Sequence, residues 1–215
     1  MRWTPQKSDV LAALASDILH NYSRGRAIVA VDGLDGAGKS HFGAELADAI
    51  REQGHPAVLA SIDAFHRPRV ERYRQGTESA RGFYQDSYNY EAFRSLLVAP
   101  FKKGDTFVTE AFNLETDTPA LGERQLAPAD AILVVEGIFL HRPELRGIWN
   151  FSIWLDVPLD VSHARLVARD GESGMSERYS GGQEIYAREK PRSRATAIVD
   201  YSDFEHPRRV FADSC

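Results

Sequence analysis

Eight consecutive residues carry the most specific chemistry in the chain: Gly33-Leu34-Asp35-Gly36-Ala37-Gly38-Lys39-Ser40. They follow the apolar run Ala27–Val31 and open a stretch of helical periodicity. Strand, G-x-x-x-x-G-K-[ST], helix is the order that a phosphate-binding P-loop requires. Glycines let backbone N–H groups turn toward phosphate oxygens with no Cβ in the way. The helix N-terminus adds free donors and about half a positive charge. Lys39 has the reach for the β- and γ-phosphates, and Ser40 offers a hydroxyl to Mg²⁺. The expected phosphate contacts are Gly33, Asp35, Gly36, Ala37, Gly38, Lys39, Ser40 and His41.

Two carboxylates complete the set. Ile132-Leu133-Val134-Val135 is an apolar strand that ends in Glu136, the position from which an acid organises Mg²⁺ beside a phosphate cradle. Asp63 ends the run Val58–Ile62, at the carboxyl edge where open α/β sheets bind ligands. A carboxylate there can accept a hydroxyl proton as the oxygen attacks phosphorus, which makes Asp63 the candidate base.

Phosphoryl transfer spreads negative charge, so cations are expected from a second direction. Arg165 and Arg169 share a helix face at i, i+4. The glycine-punctuated stretch Gly171–Gly182 follows them, carries Arg178 and reads as a hinged lid. Arg67, Arg69, Arg72, Arg74 and Arg81 crowd one polar segment, most of it a solvated face. His66 and His163 have no metal-ligand spacing.

The elements that must position these groups are legible as patterns. Ala27–Val31, Val58–Ile62, Ile132–Val135, Phe151–Leu155 and Ala197–Val199 are continuous apolar runs, as expected of strands buried on both faces. Helical periodicity lies at about Lys39–Gln53, Tyr90–Val98 and Leu159–Arg169. Thr4-Pro5 suits the start of an N-terminal amphipathic helix carrying Leu11, Leu14, Ile18 and Leu19. Alternating strands and helices imply an α/β, doubly wound, five-stranded parallel sheet with helices on both faces. One domain is expected over 1–215, with an N-terminal helix in 1–24, substrate-side insertions at 64–89 and 107–126, and a lid at 170–182. The second insertion is expected to hold a β-hairpin.

At 215 residues the chain can bury a core unaided. Its formal charge of −5 argues against nonspecific nucleic-acid binding. No run of about 20 apolar residues suggests a membrane span. A lone cysteine, Cys215, allows no disulfide within the chain and suits a reducing cytoplasm. The expected partner is a small molecule, not a membrane or a nucleic acid; the oligomeric state is left open, a homo-oligomer included.

With these residues in place, the chain resembles the uridine kinase and phosphoribulokinase group of P-loop kinases over Ile28–Asp203. The resemblance rests on the P-loop, on Asp63-Ala64-Phe65 matching an Asp-x-Phe motif, and on Glu136-Gly137-Ile138 matching Glu-Gly-Ile. Arg165…Arg169-Asp170 resembles the opening of the family's lid, and Tyr90-Glu91-Ala92-Phe93 its Pro-Asp-Ala-Phe stretch. It implies ATP and Mg²⁺, an alcohol acceptor and Asp63 as general base. It also implies acceptor contacts from His66, standing where uridine kinases carry Tyr, and from Phe112 and Asp117, standing for a tyrosine and a base-reading histidine. Asp86 is the candidate ribose ligand, with Asn89 second. These replacements leave other acceptors open: another nucleoside, a sugar, or a pantothenate-like alcohol. A regulatory nucleotide-binding module with little turnover is the reading from another class. The P-loop also resembles that of thymidylate kinases, but Asp63-Ala64-Phe65-His66 stands where those carry Arg-Glu-Pro-Gly.

Overall fold

The chain order in the computed structural model, which describes residues 5–171 and 176–210, alternates strands and helices as the apolar runs require. Helix α1 spans Lys7–Tyr22, β1 Ala27–Gly33, α2 Lys39–Glu52 and β2 Ala57–Ser61. A 3₁₀ turn at Ile62–Phe65 leads into the short helices α3 (Arg69–Arg72), α4 (Ala80–Asp86) and α5 (Tyr90–Ala92). A π-helical stretch, Phe93–Val98, joins α5 to α6 (Ala99–Lys103). The hairpin strands β3 (Phe112–Asn113) and β4 (Thr118–Pro119) precede β5 (Ile132–Glu136) and β6 (Phe151–Asp156). Helices α7 (Leu159–Asp170) and α8 (Glu177–Arg188) precede β7 (Ala197–Asp200) and β8 (Arg208–Val210).

The main sheet runs β2-β5-β1-β6-β7-β8. Its first five strands are parallel; β8 adds an antiparallel edge that the sequence pattern did not announce. Strand β1 explains the continuous apolar runs. Ala27, Val29 and Val31 enter one core with Leu14, Ile18, Phe42, Leu46 and Ile50 of α1 and α2. Ile28 and Ala30 enter the opposite core with Phe65, Phe93, Phe139 and Tyr186. With both faces covered, every residue of β1 is buried. Each fully buried large apolar side chain contributes about 1.5–3 kcal/mol, so the two cores set the strand order firmly.

Register then places the chemistry. Val31 and Ser61 both pair with Glu136, so the ends of β1, β2 and β5 share one sheet edge. Helix α1 begins at Lys7, with a reciprocal cap between Gln6 and Asp9; Thr4 lies outside the described residues.

Part of the glycine-rich stretch expected as a hinged lid is helical. Residues 172–175 of the expected lid lie outside the described residues, as does Cys215. From Glu177 onward the chain is α8, packed on α4. A Cβ on Gly182 would fall 2.4 Å from Phe83 Cδ1, and one on Gly181 2.7 Å from Ala80 Cβ. These two glycines permit close helix approach, a packing need that reads like flexibility in sequence.

Candidate active site

The loop between β1 and α2 curls with Gly36 at φ 75° and Gly38 at φ 89°. A Cβ on Gly36 would also fall 2.4 Å from the Ser162 carbonyl of α7, so both backbone sign and space demand glycine there. The amides of Gly36, Gly38, Lys39, Ser40 and His41 have no acceptor among the described residues. They are donors at a helix N-terminus, the arrangement that binds phosphate. Gly33 and Ala37 depart from expectation. Gly33 N–H donates to Asp32 Oδ1 at 2.8 Å, Ala37 N–H donates to the Leu34 carbonyl at 3.1 Å, and neither residue lines the cleft. They shape the loop from behind.

Lys39 Nζ donates to the Leu34 carbonyl at 3.0 Å and stands 3.7 Å from Asp35 Oδ1. Ser40 Oγ donates to Glu136 Oε2 at 3.0 Å, although 96 positions separate them. Burial raises the Glu136 carboxyl above its ordinary range, and nearby Asp63 adds to this. Among the described residues no three His, Cys, Asp or Glu side chains form a metal cluster. A hydroxyl and a carboxylate in contact, beside unpaired amides, still fit a hard cation that takes its remaining oxygens from phosphate and water. The residues therefore fit Mg²⁺ bound together with a nucleotide.

Asp63 lies on the 3₁₀ turn after β2, near enough to Glu136 for their charges to interact, and Ser61 Oγ caps its amide. Its Oδ1 accepts the Tyr88 hydroxyl at 2.7 Å. Burial and the adjacent Asp63 charge hold the Tyr88 hydroxyl well above its ordinary range, so it stays a donor. His66 Nδ1 lies 2.7 Å from the Asp63 carbonyl, and its ring packs 4.6 Å from that of Tyr88. Burial pushes the His66 imidazole below its ordinary range despite the pull of Asp63. Sequence reasoning missed Tyr88; the signal available was an aromatic two residues before the Tyr90-Glu91-Ala92-Phe93 stretch.

These groups line one cleft of about 880 Å³. Asp35, Gly36, Gly38, Lys39, Ser40, His41, Glu136, Arg165 and Arg169 belong to its lining. Asp63, His66, Arg72, Tyr73, Phe83, Ser87, Tyr88, Leu114, Arg178 and Tyr179 line it too.

Four candidate acceptor contacts stand outside that lining. Asp86 is buried, and its carboxylate is engaged by Arg74 and Gln75. Phe112 is buried in β3. Asp117 accepts the Arg69 amide and pairs with Arg72 at 3.0 Å, anchoring the hairpin to α3. Asn89 caps α5 through the Ala92 amide. The polar groups among them already have protein partners, Phe112 belongs to the core, and Leu114 is what the hairpin presents to the cleft.

Two arginines are also more engaged than expected. Arg178 donates to the carbonyls of Arg72 at 3.0 Å and Ser79 at 3.2 Å, with its guanidinium over Tyr73. It clips the α3–α4 segment in place. Arg165 donates to the carbonyls of Tyr201 and Ser202 and lies 3.7 Å over the Phe204 ring, beside Gly38.

Comparison with known proteins agrees with this geometry. Residues 28–193 match the model of the Phosphoribulokinase / Uridine kinase family. A thymidylate kinase of Bordetella petrii is 32% identical over 152 residues, covering 67% of this chain and 69% of that protein. A uridine kinase of Leuconostoc citreum is 21% identical over 187 residues, covering 86% and 84%. A solved structure described as a possible uridine kinase from Bacillus stearothermophilus superposes with a TM-score of 0.72 at 27% identity, covering 88% of this chain and 97% of that one. Among the described residues no helix is long and apolar enough to cross a membrane.

Proposed function

Because the chain belongs to the phosphoribulokinase and uridine kinase family of P-loop kinases, we propose that it transfers the γ-phosphate of ATP to a hydroxyl of an uncharged, ring-bearing alcohol such as a nucleoside. The observation that carries this reading is one cleft lined by both sets of groups: Lys39, Ser40 and Glu136, and Asp63 held by Tyr88. The loop amides and Lys39 would hold the triphosphate, with Arg169 and Arg165 lining the same cleft. Ser40 and Glu136 would hold Mg²⁺, which when bound neutralises charge on the phosphates. Asp63 receives the acceptor's proton as the new P–O bond forms and the bond to ADP breaks. His66, neutral at pH 7, lines the wall beside Asp63.

The acceptor wall supports a ring. Tyr73, Phe83, Tyr88 and Tyr179 offer faces and edges for stacking. The thymidylate kinase relative favours a second reading, in which the acceptor is a nucleoside monophosphate. The engagement of Arg72 by Asp117 and of Arg178 by carbonyls speaks against it, because a phosphate monoester needs cations with donors to offer. ATP consumption with Mg²⁺ should rise at least about tenfold when the right member of a panel of nucleosides, thymidine monophosphate, sugars and pantothenate is added. A nucleoside is the expected hit. Thymidine monophosphate as the sole hit transfers the conclusion to the second reading. No hit, with ATP binding intact, replaces the enzyme by a sensor module.

Tyr88→Phe tests the acceptor end more finely. Removing only the hydroxyl frees the Asp63 carboxylate to rotate, so turnover should fall about tenfold with the KM for ATP unchanged. Wild-type turnover in steady-state kinetics would mean that Asp63 needs no such guide.

A further inference from the structure

Helix α8 grips the phosphate loop at two points that the proposed chemistry does not use. Gln183 Oε1 accepts the Asp35 N–H at 2.9 Å. Three residues on, the Tyr186 hydroxyl donates to Asp32 Oδ2 where β1 runs into the loop. Asp32 is fully buried, yet its carboxylate is well supplied. Oδ1 accepts Gly33 N–H at 2.8 Å. Oδ2 accepts the Tyr186 hydroxyl, the His141 amide at 3.0 Å and His141 Nδ1 at 2.7 Å. A buried carboxylate is tolerated when its lone pairs are filled, and these four donors fix the direction in which the chain leaves β1.

The same helix reaches the opposite wall. Its first turn supplies Arg178, bonded to the backbone of the α3–α4 segment, and Tyr179, which lines the cleft. Close packing at Gly182 against Phe83 keeps α8 seated on α4. Gln183 and Tyr186 do not line the cleft, so whatever they do for a ligand is done through Asp35 and Asp32.

We propose that α8 is a positioning strut. Gln183 and Tyr186 hold the phosphate loop in its receptive shape, and Arg178 ties that loop through the helix to the acceptor wall. The effect on nucleotide affinity rests on the kinase reading; the hold on the loop does not. A loop already ordered loses less conformational freedom when phosphate arrives, so releasing it weakens binding without touching the ligand.

The test uses Gln183→Met, which keeps length and loses the acceptor oxygen, and Gln183→Glu, which keeps an oxygen. Amide exchange by NMR is measured on the full chain without nucleotide. The Asp35 amide should exchange at least about tenfold faster in the Met variant and within about twofold of wild type in the Glu variant. Calorimetry with Mg·ADP should show a Kd about fivefold higher for the Met variant. The KM for ATP should rise while kcat changes less than about twofold. An unchanged Asp35 exchange rate overturns the strut. So does a loosened loop with wild-type Mg·ADP affinity. If wild type binds no Mg·ADP while Asp35 responds as stated, the kinase reading falls and the hold of α8 on the loop stands.

Discussion

Asp63→Asn is expected to lower turnover of the active acceptor at least about a hundredfold while the affinity for Mg·ATP stays within about threefold. Asparagine matches aspartate in volume and still accepts the Tyr88 hydroxyl, so the turn at Ile62–Phe65 has no reason to rearrange. What disappears is the group able to take a proton from the attacking oxygen. The hydrogen bonds of Asp63 run to Ser61, His66 and Tyr88 rather than to the phosphate loop, which is why binding should survive. The loss should lie in kcat, read by steady-state kinetics with calorimetry on the same samples. Turnover like wild type removes Asp63 from the mechanism. Lost Mg·ATP binding instead would recast it as a metal organiser.

Glu136→Gln should separate function from stability. Turnover should fall at least about a hundredfold, because a neutral amide is a poor ligand for the cation that the phosphates bring. Thermal stability should move the other way. Burial raises the Glu136 carboxyl, so the folded state disfavours its ionised form. A raised carboxyl contributes stability below its unfolded pKa and loses that contribution as pH rises through its folded value. The amide never ionises, and it still accepts the Ser40 hydroxyl now bonded to Glu136 Oε2. The variant should therefore melt higher than wild type at pH 8, and the gap should close toward pH 4. Differential scanning calorimetry at the two pH values reads this directly. A lower melting temperature at pH 8 would show that Glu136 is held ionised by favourable contacts, and with it the opposition of metal binding to stability would fail. Such opposition is expected where a site keeps a charge in place for a ligand.

The outline of the site was legible because its motifs are local. A P-loop needs residues adjacent in sequence, Glu136 ends a fully buried strand, and Asp63 sits one turn past β2, an edge strand that is mostly half-buried. Shared register then brings Glu136 beside Ser40 whatever the loops do. The acceptor wall was not legible in this way. Asp86, Asp117 and Arg178 are polar residues in polar segments, and local pattern does not tell a ligand-facing group from one bonded to Gln75, to Arg72 or to the carbonyl of Ser79. Tyr88 looked like one aromatic among many until folding set its hydroxyl on Asp63. Strand β8, three residues long and carrying Arg208 and Arg209, has no apolar run to reveal it.

The amino-acid order alone determined the alternating strands and helices, the phosphate loop and the carboxyl-edge positions of two acids, because burial on both faces and the geometry of one turn act over a few neighbouring residues. Tertiary structure decided which side chains remain available to a ligand. It gave Gly181 and Gly182 to close packing and Arg178 to a clip on the cleft wall, and it hid Asp32 under Tyr186, 154 positions away. Hydrogen-bond satisfaction is a competition among all groups that the fold brings within reach, and most competitors here are distant in the chain.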